Sequence, residues 1–113
     1  MFSINQTDEE LRAELSNLGI EWDNLLEMTP TTKGRTVMLT GNETVIRIKH
    51  YPKYPEDNGV LSHEVFHAVT FILNHIGMKL CRKSDEAYAY LTGYLTTEIY
   101  KALSLKEPTK EGI

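Results

Sequence analysis

His63, Glu64 and His67 stand in the order His63-Glu64-Val65-Phe66-His67, which is H-E-x-x-H. On an α-helix, residues four apart lie one above the other about a turn apart, so both imidazoles can reach one ion. That spacing suits zinc. Glu64 falls on the neighbouring sector, close enough to touch a metal-bound water without taking a coordination position, and this places it as a general base. The surroundings sharpen the reading. Leu61, Val65, Phe66, Ala68, Val69, Phe71, Ile72, Leu73 and Ile76 make the stretch 60–76 apolar over most of a helical circumference. Two histidines and a glutamate inside such a helix each carry a desolvation cost of roughly a few kcal/mol if nothing satisfies them. A bound divalent cation removes that cost, whereas the plainer alternative is a polar strip facing water.

A catalytic zinc takes three protein ligands and keeps one position open. The metzincin pattern H-E-x-x-H-x-x-G-x-x-H is excluded, because Thr70 and Leu73 occupy the positions of its glycine and last histidine. His75 lies eight residues after His67, and eight helical steps rotate it about 80° from the ligand stripe. Cys81, the lone cysteine, reads as a small core residue. Asp85 and Glu86 open a later helix, where negative charge also complements the macrodipole, and that role suits Asp85. Helical steps from Glu86 reach Ala89, Gly93 and Thr97, a row of small side chains that permits close helix packing; steps from Asp85 reach the bulkier Tyr88, Thr92 and Thr96. The spacing therefore predicts Glu86 as the third ligand, with its small row against the metal helix.

Elements must position these groups. Thr7-Asp8-Glu9-Glu10 fits a capping box, and Leu11, Leu15 and Leu18 then recur at helical spacing toward a core, with Gly19 as the terminator. Residues 21–32 read as a short helical turn and loop. Residues 35–50 read as a β-hairpin about a two-residue Gly41-Asn42 turn with positive φ at Gly41. In that register Leu39 faces Thr44 and Val37 faces Ile46, with Ile48 on the same apolar side; Thr36, Met38, Val45, Arg47 and Lys49 share the other, mixed face. Residues 51–59 are rich in turn formers and read as a loop, with Asp57 or Asn58 capping the metal helix and Gly77 closing it. Ser84 is expected to cap a last helix running to about Leu103, and 107–113 to be a frayed tail.

The chain has 113 residues, enough for one domain with one core, spanning 1–113. It is 41% hydrophobic and 25% charged, which is ordinary for a folded protein. A net charge of -4 with no Lys/Arg run removes the electrostatic basis for general nucleic-acid binding. The longest apolar stretch is broken by His63, Glu64, His67, Asn74, His75 and Lys79, so no membrane span is expected. The opening residues have neither a basic start nor an apolar run, and a cytoplasmic location is expected. The sequence leaves oligomeric state open.

H-E-V-F-H on one helix, followed nineteen residues later by a glutamate opening E-A-Y-A-Y, resembles the gluzincin branch of the zincin metallopeptidases. The likeness is to a minimal form similar to small phage and prophage proteins, and it covers roughly 35–100. It implies a zincin-like α+β fold: an N-terminal helix, a β-hairpin or small mostly antiparallel sheet, a buried H-E-x-x-H helix and a C-terminal ligand-bearing helix. It implies one zinc held by His63, His67 and Glu86, with Glu64 as base in the hydrolysis of a peptide or protein substrate. It also implies an edge strand beside which an extended peptide binds. Zincins often add a Tyr or His to stabilise the oxyanion; Tyr90, one turn after Glu86, is the favoured candidate among Tyr88, Tyr94, Tyr51, Tyr54 and His50. A non-catalytic zinc scaffold or phage-particle module is the alternative.

Overall fold

The computed structural model describes residues 1–106, so the tail expected at 107–113 lies outside the described residues. The fold is α+β, with strands β1 (Phe2–Ile4), β2 (Gly34–Met38) and β3 (Thr44–Ile48) and helices α1 (Asp8–Asn17), α2 (Pro55–His75) and α3 (Asp85–Lys106). The sheet is mixed, in the order β1-β3-β2: β1 runs parallel to β3 and β2 antiparallel to it. β1 has no counterpart in the sequence reading. Among the described residues no helix is long and apolar enough to cross a membrane.

α1 starts as its sequence dictates. The Glu10 amide donates to Thr7 Oγ1 at 3.1 Å and the Thr7 amide to Glu10 Oε1 at 3.0 Å, closing the capping box. Gly19, at φ +74°, follows the helix end. Leu11 and Leu15 are fully buried with Leu26, Val37, Leu39 and Val45, but Leu18 is 62% exposed. At the end of a ten-residue helix, Leu18 has already passed beyond the surface that covers the sheet.

The hairpin register differs from the expected one by one residue. Val37 pairs with Val45, Thr36 with Ile46 and Gly34 with Ile48. The Leu39 amide donates to the Glu43 carbonyl at 2.8 Å, so the loop is Thr40-Gly41-Asn42, and the positive φ (71°) falls on Asn42 and not on Gly41. A one-residue slip sends every side chain of one strand to the other face. Val37, Leu39, Val45 and Arg47 therefore share the face under α1, while Ile46 and Ile48 pack with Leu61, Val65, Ala68 and Val69 of α2. β3 is buried on both sides, and its Val45 and Arg47 side forms a second core under α1. Arg47, 2% exposed, survives there because its guanidinium donates to Asp8 Oδ1 (2.6 Å), the Leu26 carbonyl (2.6 Å) and the Gln6 carbonyl (2.9 Å).

α2 begins at Pro55, inside the stretch read as a loop. Proline at the first helical position lacks the amide that would be unpaired there anyway. Asp57 works from inside the first turn, its Oδ2 accepting from the Lys53 and Tyr54 amides at 3.1 and 3.0 Å. Gly77 (φ +82°) closes the end as expected. Ser84 precedes α3 as expected, its carbonyl accepting from the Tyr88 amide at 3.1 Å, while its hydroxyl turns back, accepting from the Cys81 amide and donating to the Lys79 carbonyl, and so fastens the connecting loop. α3 returns antiparallel along α2: Tyr88 Oη donates to the Met78 carbonyl (2.8 Å) just beyond the end of α2, and Tyr100 Oη to Asn58 near its start.

Candidate metal centre

α2 packs against both the sheet and α3, with His67 turned toward the β2 edge of the sheet. His63 is exposed and His67 half-buried. Their Nε2 atoms lie 3.0 Å apart, with ring centroids at 4.6 Å and planes at 79°. That separation is a hydrogen-bond distance between the rings; a tetrahedral ion at about 2.0–2.1 Å from both nitrogens would set them about 3.3–3.4 Å apart, so a small outward turn of the rings would let the pair share one ion. Phe71, one turn further on, stacks on the His67 ring at 6.1 Å between centroids.

Glu64 sits on the neighbouring sector and faces β2. It is 6% exposed. A buried carboxylate needs donors, and Thr36 of β2 supplies one: its Oγ1 lies 2.7 Å from Glu64 Oε1 and 3.0 Å from the Glu64 carbonyl. The place is available because residue 34 is glycine. A Cβ there would stand 2.9 Å from Glu64 Cγ and from Val60 Cγ1, and 3.1 Å from Glu64 Oε2. Gly34, Thr36, Glu64, His67 and Phe71 line an open cleft of about 230 Å³ together with Arg35.

β2 is an edge strand. Its odd-numbered residues bond to β3, as the Leu39 amide and Lys33 carbonyl demonstrate, so alternation turns the main-chain groups of Gly34, Thr36 and Met38 outward. The outward edge therefore runs beside the cleft that holds Glu64 and His67.

Glu86 and Tyr90 are not brought to this cleft. Both are exposed, Tyr90 by 76%. Each lies two residues from Tyr88, which is buried against α2, and two helical steps turn a side chain about 160° away. The small row expected against the metal helix lies on the other side: α3 packs through Tyr88, Leu91, Leu95, Ile99 and Leu103, while Ala89, Gly93 and Thr97 face outward. Apolar area decides the packed face, because burying large side chains yields more than the closer approach a small row permits. Glu86 also lies level with the end of α2 and not with its histidines. Among the described residues no group of three His, Cys, Asp or Glu is gathered to hold an ion. His75 is exposed, as is Cys81, which the sequence reading assigned to the core. Hydrogen bonds, first from the Ser84 hydroxyl and then from the main chain at Lys83 and Ser84, hold the Cys81 thiol below its ordinary pKa.

The chain matches no family model, no curated protein and no solved structure. Its own geometry carries the functional argument. Thr36, Gly34 and Phe71 are the site residues that sequence reasoning missed. Phe71 was within reach, since it continues the His63-His67 row by one helical step. Thr36 and Gly34 meet Glu64 only through tertiary packing.

Proposed function

We propose that the chain is a zinc-dependent hydrolase acting on peptide bonds, with His63 and His67 as metal ligands and Glu64 as general base. The single observation that supports this most is the convergence of the two Nε2 atoms at 3.0 Å beside a carboxylate that is buried yet held by Thr36. Zinc, when bound, supplies Lewis acidity toward a carbonyl and lowers the pKa of water.

The chain's own residues would do the rest. Glu64 takes the proton from the attacking water and returns it to the leaving amine. Thr36 donates to one carboxylate oxygen and so fixes the orientation of the base. The outward groups of Gly34, Thr36 and Met38 offer an extended peptide main-chain hydrogen bonds along β2, which lays it across the cleft. The ligand set of this reading is built without Glu86 and the oxyanion role without Tyr90, since neither side chain approaches the cleft. A metal held by two protein ligands keeps further positions for water and substrate, and it binds more weakly than a three-ligand site.

A zinc-holding scaffold without turnover is the second reading, favoured by the small size of the cleft. It gives no reason for a glutamate seated by its own hydroxyl donor. Glu64→Gln separates the two. With labelled casein as substrate, the wild type should hydrolyse it, the variant should not, and both should retain zinc. Equal turnover by the variant removes Glu64 as base, and zinc binding without wild-type turnover leaves the scaffold.

A further inference from the structure

The outer face of α3 carries a pattern that neither the fold nor the metal centre uses. Tyr90 is 76% and Tyr94 53% exposed. They flank Ala89, Gly93 and Thr97 along a shallow trough of about 390 Å³, and a Cβ built on Gly93 meets nothing within 4 Å. Glu86 stands at one end of this face and Lys101 at the other. Glu86, Tyr90, Gly93, Tyr94, Thr97 and Lys101 fall within about 100° of the helix circumference and span about 22 Å of its length. Tyrosine is enriched at interfaces, where its ring is buried and its hydroxyl stays wet.

We infer that this face binds a second copy of itself, α3 against α3 in antiparallel orientation, forming a twofold dimer. The stripe is complementary to its own reverse. A twofold axis between Gly93 and Tyr94 sets Gly93 against Tyr94 of the second copy, Tyr90 against its Thr97, and Glu86 against its Lys101, each pair occurring twice. Large meets small and acid meets base at every level. A parallel arrangement instead sets Glu86 against Glu86 and tyrosine against tyrosine. Lys101 is free to take part, because its contact with Glu98 is an exposed pair at 3.4 Å that contributes little. The same pairing accounts for the two residues that the metal centre leaves out, Glu86 and Tyr90. A single helix pair lies at the low end of specific interfaces, below about 1,200 Å² in total, so the dimer is reversible and concentration-dependent.

Sedimentation equilibrium of the full chain over a wide concentration range, with a chelator present, tests this independently of the metal centre. The wild type should pass from monomer to dimer. Glu86→Lys and Lys101→Glu should each weaken association by about tenfold or more, and combining them should restore it. Gly93→Leu, which has open space in the monomer, should abolish association with the melting temperature held or raised. A wild type that stays monomeric throughout overturns the inference. So does a dimer indifferent to Gly93→Leu, or one that the double charge swap fails to restore.

Discussion

Thr36 and Glu64 meet side chain to side chain across the seam between β2 and α2, Oγ1 to Oε1 at 2.7 Å. The contact joins a strand residue to a helix residue twenty-eight positions later, and it binds the proposed base to the edge along which a substrate would lie. One hydroxyl hydrogen serves both the carboxylate and the Glu64 carbonyl, 3.0 Å away, so the base is referenced to the backbone of its own helix as well as to the sheet.

Thr36→Val keeps the shape and removes the donor, whereas Thr36→Ser keeps the donor. A hydrogen bond to a charged group contributes about 1.5–3 kcal/mol. Steady-state kinetics should therefore give a kcat lowered by about tenfold or more for valine, with KM and zinc content near wild type, and serine should recover most of the loss. A valine variant with unchanged kcat would place Thr36 outside the mechanism.

Gly34→Ala should disturb the same seat from the other side. Its Cβ enters within 2.9 Å of Glu64 Cγ and Val60 Cγ1, so the carboxylate or the strand must shift, at about 1–3 kcal/mol for overpacking. Urea unfolding should register that loss together with reduced turnover. Wild-type stability and rate would show that Glu64 has room the packing denies.

The parts of this fold written in local chemistry could be read from the chain. The Thr7–Glu10 capping box, the ends at Gly19 and Gly77, the helical H-E-x-x-H and the start of α3 at Asp85 all depend on neighbours within a turn. Choices made by tertiary contact could not. Phe2–Ile4 becomes a strand only because β3 accepts it. The hairpin register was ambiguous because β3 buries Val45 and Arg47 on one side and Ile46 and Ile48 on the other, which erases the alternation that fixes a register. For α3, both the small and the bulky row recur at helical spacing, and only the apolar demand of α2 decides between them.

Arg47 ties the start of α1 to β3. Asp8→Ala would leave the guanidinium with two carbonyl acceptors in a site where it is 2% exposed. Because Asp8 itself is 34% exposed, the expected cost is about 1–3 kcal/mol, below that of a fully buried pair. Chemical denaturation measures it, and a loss near zero would mean that the carbonyls alone hold the arginine.

Asp57 gives stability a pH dependence of known sign. Main-chain hydrogen bonds, first from Tyr54 and then from Lys53, hold its carboxyl below the ordinary value of 3.8, with His50 and Lys33 adding to the effect. A group depressed in the folded state stabilises above its unfolded pKa, and that contribution disappears as pH falls through the folded value. Melting curves of the wild type and Asp57→Asn should differ at neutral pH and converge in the acid range below 3.8. A gap that stays constant into that range would contradict the assignment.

Metal content measures the central claim most directly. The untagged chain, purified without chelator and equilibrated with zinc, should bind one zinc per molecule by elemental analysis and titration calorimetry, as expected for imidazoles whose Nε2 atoms converge at 3.0 Å. His63→Ala and His67→Ala should each abolish that binding, and Glu64→Gln should preserve it. A wild type that binds no zinc, or zinc that survives both histidine substitutions, would contradict the account.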